Sequence, residues 1–320
     1  MTLQLMKAGV SPQDALERFG LDWETGMRPL YRRTGCPEEG GPDVRYEPTT
    51  VHETFNGSTG DTLGTVSDKY CPIQNRQIAD LLEHVSPGAR NVVGGGTYRG
   101  GKRAWFQLDL GTFDVAGVDP MRKYAIVSTD HDGTGGLTIA GSTIRLTCFN
   151  QYRAATRDSY RVSIRHTSEV LDIDHLGKRV AAGLERVRQW ASNIQTMVEG
   201  LASRPIGGDW AERFFRSAYL ACCNSATRAL ILDPQEETRD HSERAIGRMA
   251  SAVATMANNL HDRDSGALHP SIEGTRWHAF NAATEWVDHS GRYGAESVHL
   301  GNAADHKVRM MELAVSTSTL

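Results

Sequence analysis

The spacing of apolar residues changes near residue 173 and divides the chain into a strand-like stretch and a helix-like stretch. Ahead of both, residues 1–45 are mixed. Ser11 followed by Pro12 predicts a short helix over Ser11–Phe19, with the serine as cap and the proline in the first turn. The run from Gly35 to Pro42 reads as a loop, and the segment as a whole reads as an N-terminal extension. Residues 46–172 read as a sheet-rich core. Thr62–Val66 predicts a strand. Ile78, Leu81, Leu82 and Val85 predict a helix ended by Pro87-Gly88, and Val92-Val93 opens another strand. Gly100-Gly101 sits between Tyr98-Arg99 and Lys102-Arg103, a hairpin signal with a basic tip. Tyr124–Val127 predicts a buried strand. Leu137–Ile139 and Thr143–Cys148 predict a second hairpin turning at Gly141-Ser142. Val162 and Ile164 alternate with arginines, the pattern of a strand with one basic face.

From residue 173 to 320 the period becomes helical. Leu176, Val180, Leu184, Val187, Ile194, Met197 and Leu201 form one stripe on a long helix that Pro205 and Gly207-Gly208 end. Asp209 and Glu212 predict a capping box for a second helix reaching Leu232. A third helix spans Ser242–His261 with Ile246, Met249, Val253, Met256 and Leu260 inward. A fourth covers Arg276–Asp288, and a short last one runs near Ala303–Leu313. The expected class is α+β: a hairpin-rich, mixed or antiparallel sheet core followed by a helical C-terminal region packed on it.

Composition narrows the function classes. Hydrophobic residues make up 39% of the 320, enough for a packed core, and the net charge of −4 confines any nucleic-acid site to a local patch. No run approaches the roughly 18 apolar residues of a membrane span, and no secretory leader is seen, so a cytoplasmic protein without a membrane partner is expected. The five cysteines include no CxxC pair, which disfavours a disulfide framework or a zinc ribbon. Cys222 and Cys223 read as small packing residues in a helix. Gly94-Gly95-Gly96 lacks the residues of a nucleotide-binding loop.

The strongest candidate chemistry is basic. Arg145, Arg153, Arg157, Arg161 and Arg165 fall within 21 residues that hold one acidic side chain, Asp158, and the hairpin tip adds Arg99, Lys102 and Arg103. Guanidinium groups on a firm surface bind phosphate, and Tyr98, Tyr152 and Tyr160 are placed to stack on bases. The plain alternative is a solvated, salt-bridged surface. Asp130-His131-Asp132-Gly133 offers two carboxylates and an imidazole to a divalent ion, but the same residues make a tight turn. His278, Glu285 and His289 fall on one arc of a helix and suit a metal or a general base. A solvated polar face opposite Phe280, Ala283 and Val287 explains them as well. Cys148 near Asn150 lacks the surroundings of a nucleophile, and Asn150 reads as a helix cap. No metal and no cofactor are expected.

Several segments, in order, resemble one family. They are Gly64–Tyr70 with Pro72–Asn75, then Asp130–Gly133 and Ile144–Asn150, then His166-Thr167, then Gly274-Thr275, Asn281-Ala282, Glu285 and Asp288-His289. Together they cover roughly residues 5–315 and resemble the phage- and plasmid-like domain of unknown function 932. Phe149 departs from that pattern, in which a glutamine or a small residue is expected. The resemblance implies a product of a mobile element and brings no activity and no catalytic residues. Three functions follow as expectations. The first is a factor, acting as a monomer or a homo-oligomer, that binds or anneals single-stranded nucleic acid in mobile-element replication or recombination. The second is a metal-dependent hydrolase of nucleic acid, and the third a non-catalytic protein that binds a host partner.

Overall fold

In the computed structural model, residues 8–34, 45–145, 151–153, 162–262, 270–289 and 302–316 are described. Helix α1 (Pro12–Arg18) starts as its sequence dictates, with the Ser11 hydroxyl accepting from the amide of Asp14. It packs on α2 (Asn75–Val85). Strands β1 (Thr25–Thr34), β2 (Arg45–Asn56) and β3 (Thr62–Ser67) form an antiparallel sheet in that order. The second sheet runs β4 (Val92–Tyr98), β5 (Arg103–Val115), β6 (Asp119–Asp130), β7 (Leu137–Arg145), β8 (Gln151–Arg153), and β9 (Val162–Ile164) also pairs with β7. The helices α3 (Ile173–Ala202), α4 (Trp210–Ala221), α5 (Ser225–Leu232), α6 (Arg239–His261), α7 (Arg276–His289) and α8 (Asn302–Val315) follow. The class is α+β, with antiparallel sheets and a helical C-terminal part.

Two compact units divide the chain. One comprises Met1–Asp109, Ala125–Ala140 and Arg161–Val187, and the other Leu110–Tyr124, Gly141–Tyr160 and Arg188–Leu320. Strands β5, β6 and β7 and helix α3 each begin in one unit and end in the other. In the first unit, α3 lies against the sheet at Gly183, where an added methyl would sit 2.7 Å from the Ile139 side chain. In the second unit, α7 is buried along nearly its whole length and packs against α4, α6 and α8.

Four local expectations are corrected. Gly141-Ser142 is not a turn: β7 runs straight through it. The glycine is needed because the Trp190 indole lies where a Cβ would be, 2.2 Å from Cε3. The second helix does not reach Leu232. Cys222, Cys223 and Asn224 interrupt it, and Asn224 caps α5 by accepting from the amide of Thr227. Nor do Asp209 and Glu212 form a capping box; they pair instead with Arg213 and Arg216 one turn on. The buried stripe of α6 is Ser242, Ala245, Ala252 and Met256, and Ile246 is exposed. Small side chains line this stripe, which suits the close approach of the helices α6 packs against.

Candidate nucleic-acid interface

The polar residues that looked most like a catalytic or metal cluster form a structural latch in the first unit. His131 uses every polar group it has. Its amide donates to the Lys102 carbonyl at 2.7 Å, and its carbonyl accepts from the Thr54 hydroxyl at 2.8 Å. Asn75 Nδ2 donates to the Leu21 carbonyl, so Asn75 Oδ1 is an acceptor and receives a hydrogen bond from His131 Nε2–H at 3.0 Å. That leaves Nδ1 to accept from the Thr25 hydroxyl at 2.9 Å. Through its ring residue 131 ties β1 to α2, and through its backbone it holds β2 and the β4–β5 turn. Gln74 reinforces the joint, exchanging both side-chain hydrogen bonds with the backbone of Thr25.

The neighbouring groups are equally engaged. Asp130 holds Arg103 through both carboxylate oxygens, with only 18% of the arginine side chain and 9% of the aspartate exposed. Asp132 accepts from the amide and the hydroxyl of Thr134, and Gly133 has a positive φ of 79°, so this segment is a turn built by Asp and Gly. His166 accepts the Ile73 amide at Nδ1, so Nε2–H faces Thr129 Oγ1 at 3.1 Å, and its ring stacks on Tyr70 at 4.8 Å. The Tyr70 hydroxyl donates to the Asp130 carbonyl. Burial and the nearby Asp132 and Asp130 charges raise its pKa. Asp130 is thus neutralised by Arg103, and one oxygen of Asp132 is engaged by Thr134.

Burial pushes His131 down to about 3 and His166 down to about 4. Both rings are neutral when folded and protonate near pH 6.5 when unfolded, so the unfolded chain binds more protons between those values. The stability they confer is therefore present above about pH 7 and declines as pH falls through 6.5. The two together account for a loss of about 4 kcal/mol between pH 7 and pH 5. Urea denaturation at the two pH values measures this, and a flat profile would contradict the neutral assignment.

The helical candidates are placed differently from expectation. His278 is buried on α7 and Glu285 is mostly buried, so the face that was expected to be solvated is packed. Only His289 reaches solvent, with its Nε2 3.2 Å from Glu285 Oε1. The correction has a plain cause: α7 has neighbouring helices on several sides, not one. Among the described residues no group of three or more His, Cys, Asp or Glu is arranged to hold a metal, and no helix is long and apolar enough to cross a membrane. Cys71 is a free thiol and the Cys223 thiol donates to the Tyr219 carbonyl, while Cys36 and the Cys148–Asn150 segment lie outside the described residues.

The basic residues fall into three sets. In the first unit, Arg99 is exposed on the β4–β5 turn with a φ of 55°, Lys102 follows it half-buried, and Arg165 is exposed just after β9. Tyr98 is stacked on Trp105 at 5.8 Å. Arg103 is committed to Asp130. In the second unit, Arg145 ends β7, and Tyr152 and Arg153 lie in β8, where they pair with Thr143 and Ser142. Arg157, Arg161 and Tyr160 lie outside the described residues.

A further basic element was not evident from the sequence. The β1–β2 ladder extends well past β3, which pairs only with Val51–Phe55. On this ribbon Arg28 pairs with Glu53 and Arg32 with Glu47. Arg33 and Arg45 have no carboxylate partner among the described residues, and Tyr31 and Tyr46 stand 56% and 67% exposed. The signal was available as alternating residues in Thr25–Thr34 and Arg45–Asn56, but Pro29, Pro48 and the Gly/Pro-rich segment between them spoke for a loop.

No match to the chain was found among curated proteins or solved structures. A family model described as "Domain of unknown function (DUF932)" matches residues 62–314, from β3 to the last turn of α8. That span is most of the 320 residues, and with it this chain belongs to the domain of unknown function 932 family.

Proposed function

We propose that this protein binds single-stranded nucleic acid, as a factor in replication or recombination of a mobile element, and that it does so through cationic hairpins of its first unit. One observation carries the reading: the exposed hairpins hold cations without carboxylate partners. Among the described residues Arg33 and Arg45 on β1–β2, Lys102 at the β4–β5 turn and Arg165 after β9 make no ion pair, whereas the mostly buried Arg103 is neutralised by Asp130. Unneutralised guanidinium and ammonium groups on a rigid sheet edge gain most from phosphate, because binding releases condensed counterions and breaks no existing ion pair. Hydrolysis by a metal held on Asp130 and Asp132 has less support, since oxygens of both carboxylates already accept hydrogen bonds.

Fluorescence anisotropy of a labelled single strand of about 30 nucleotides, titrated at several salt concentrations, tests the reading. Binding is expected to weaken steeply with salt, with a log–log slope of about −0.7 for each phosphate neutralised. Charge reversal at Arg33 and Arg45 together, or at Lys102 and Arg165 together, is expected to weaken it by about tenfold or more and to flatten the slope. No binding at about 50 mM salt would overturn the proposal.

A further inference from the structure

We infer that the β1–β2 ribbon is a base-stacking platform, and that Tyr31 and Tyr46 hold one unpaired base between their rings while Arg33 contacts the adjoining phosphate. This rests on the single-strand reading above and names the surface and the part of the ligand it takes.

Register supplies the argument. Tyr31 is paired with Pro48, and Arg33 with Tyr46. Directly opposed residues in an antiparallel ladder share a face, and so do residues two apart. Tyr31, Arg33, Tyr46 and Pro48 therefore stand on one face of the ribbon. Tyr31 and Tyr46 are diagonal neighbours, whose attachment points lie roughly 7–8 Å apart. That is about twice the 3.4 Å repeat of stacked bases, the space one flat base fills between two rings. Among the described residues the two tyrosines make no ring contact with each other and no cation–π contact, and they stand 56% and 67% exposed. Large exposed aromatics of this kind have no role in the ribbon's own packing, where Thr25 and Thr54 are the buried positions and Phe55 is covered by Arg28 at 4.9 Å.

Charge decides the kind of partner. The ribbon's two carboxylates, Glu47 and Glu53, are each taken by an arginine, which leaves Arg33 and Arg45 in surplus. The surplus Arg33 lies beside the tyrosines on their own face. An aromatic pair flanked by an unpaired guanidinium matches a base joined to a phosphate. A duplex cannot present that pair, because its bases are already stacked.

The test compares the full-length chain with Tyr31→Ala/Tyr46→Ala and Tyr31→Phe/Tyr46→Phe. The probes are a labelled single strand, the matching duplex and an abasic strand of the same length. The alanine pair is expected to bind the single strand at least about tenfold more weakly, with duplex and abasic binding unchanged. The phenylalanine pair, which keeps the rings, is expected to bind like the unaltered chain. Equal loss on all three probes, or equal loss in the phenylalanine pair, would overturn the stacking role. So would an alanine pair that binds normally, or one that changes only the oligomeric state seen by sedimentation. If the unaltered chain binds no probe, the single-strand reading itself falls, an outcome distinct from the others.

Discussion

Replacing His131 by leucine is expected to destabilise the protein by about 4 kcal/mol at pH 7.5, although the substitution keeps the volume and the apolar character of a buried site. The backbone bonds of residue 131 to Lys102 and Thr54 survive the change. Two side-chain bonds do not. Thr25 Oγ1 and Asn75 Oδ1 lose their partners and remain buried, and each orphaned group costs about 1–3 kcal/mol. Loss of the ring also removes the edge-on contact with Trp23 at 5.1 Å, so the fluorescence of that indole is a convenient probe of the transition. The variant should in addition lose about half of the acid sensitivity, since His166 alone then contributes to it. Urea denaturation decides the matter. A loss below about 1 kcal/mol would mean that the two orphaned groups find other partners and that His131 is not the joint of this unit.

Much of the fold was legible in the sequence because its signals are local. Ser11-Pro12 could hardly begin anything but a helix, and the stripe from Leu176 to Leu201 has one good partner face. What was not legible depended on distant neighbours. Gly141 looks like a turn until Trp190, 49 positions later, is seen to occupy its missing side chain. The polar residues of α7 look solvated unless one knows that other helices surround them. The candidate site divides in the same way. Arg103 looks like a phosphate ligand in sequence and is an internal ion pair in space, because Asp130 arrives from the end of another strand. The β1–β2 ribbon was hidden for the opposite reason: its prolines are tolerable on an exposed ribbon, where few backbone donors are required.

The other large effect is expected in the helical unit, at Lys307. Its side chain is fully buried on α8, with Nζ 2.8 Å from Asp288 Oδ1 near the end of α7, and Asp288 is only 8% exposed. Burial raises the pKa of Asp288, while the charge and hydrogen bond of Lys307 oppose the rise. Lys307→Met therefore leaves an uncompensated buried acid. The expected loss is about 3–5 kcal/mol at pH 7.5, the range found when one partner of a buried pair is removed. At acid pH the loss should shrink, because the orphaned carboxyl can then take up a proton. The double variant Asp288→Leu/Lys307→Met separates the pair's net worth from the penalty of breaking it. Two apolar side chains of suitable volume are expected to recover most of the loss, since burying the charges cost desolvation energy in the first place. A thermodynamic cycle of the four proteins by urea denaturation is the measurement. A double variant as unstable as Lys307→Met alone would show that the pair fixes the α7–α8 contact by its specific geometry. A single variant that loses less than about 1 kcal/mol would show that water reaches Asp288 and that the pair is not buried in solution.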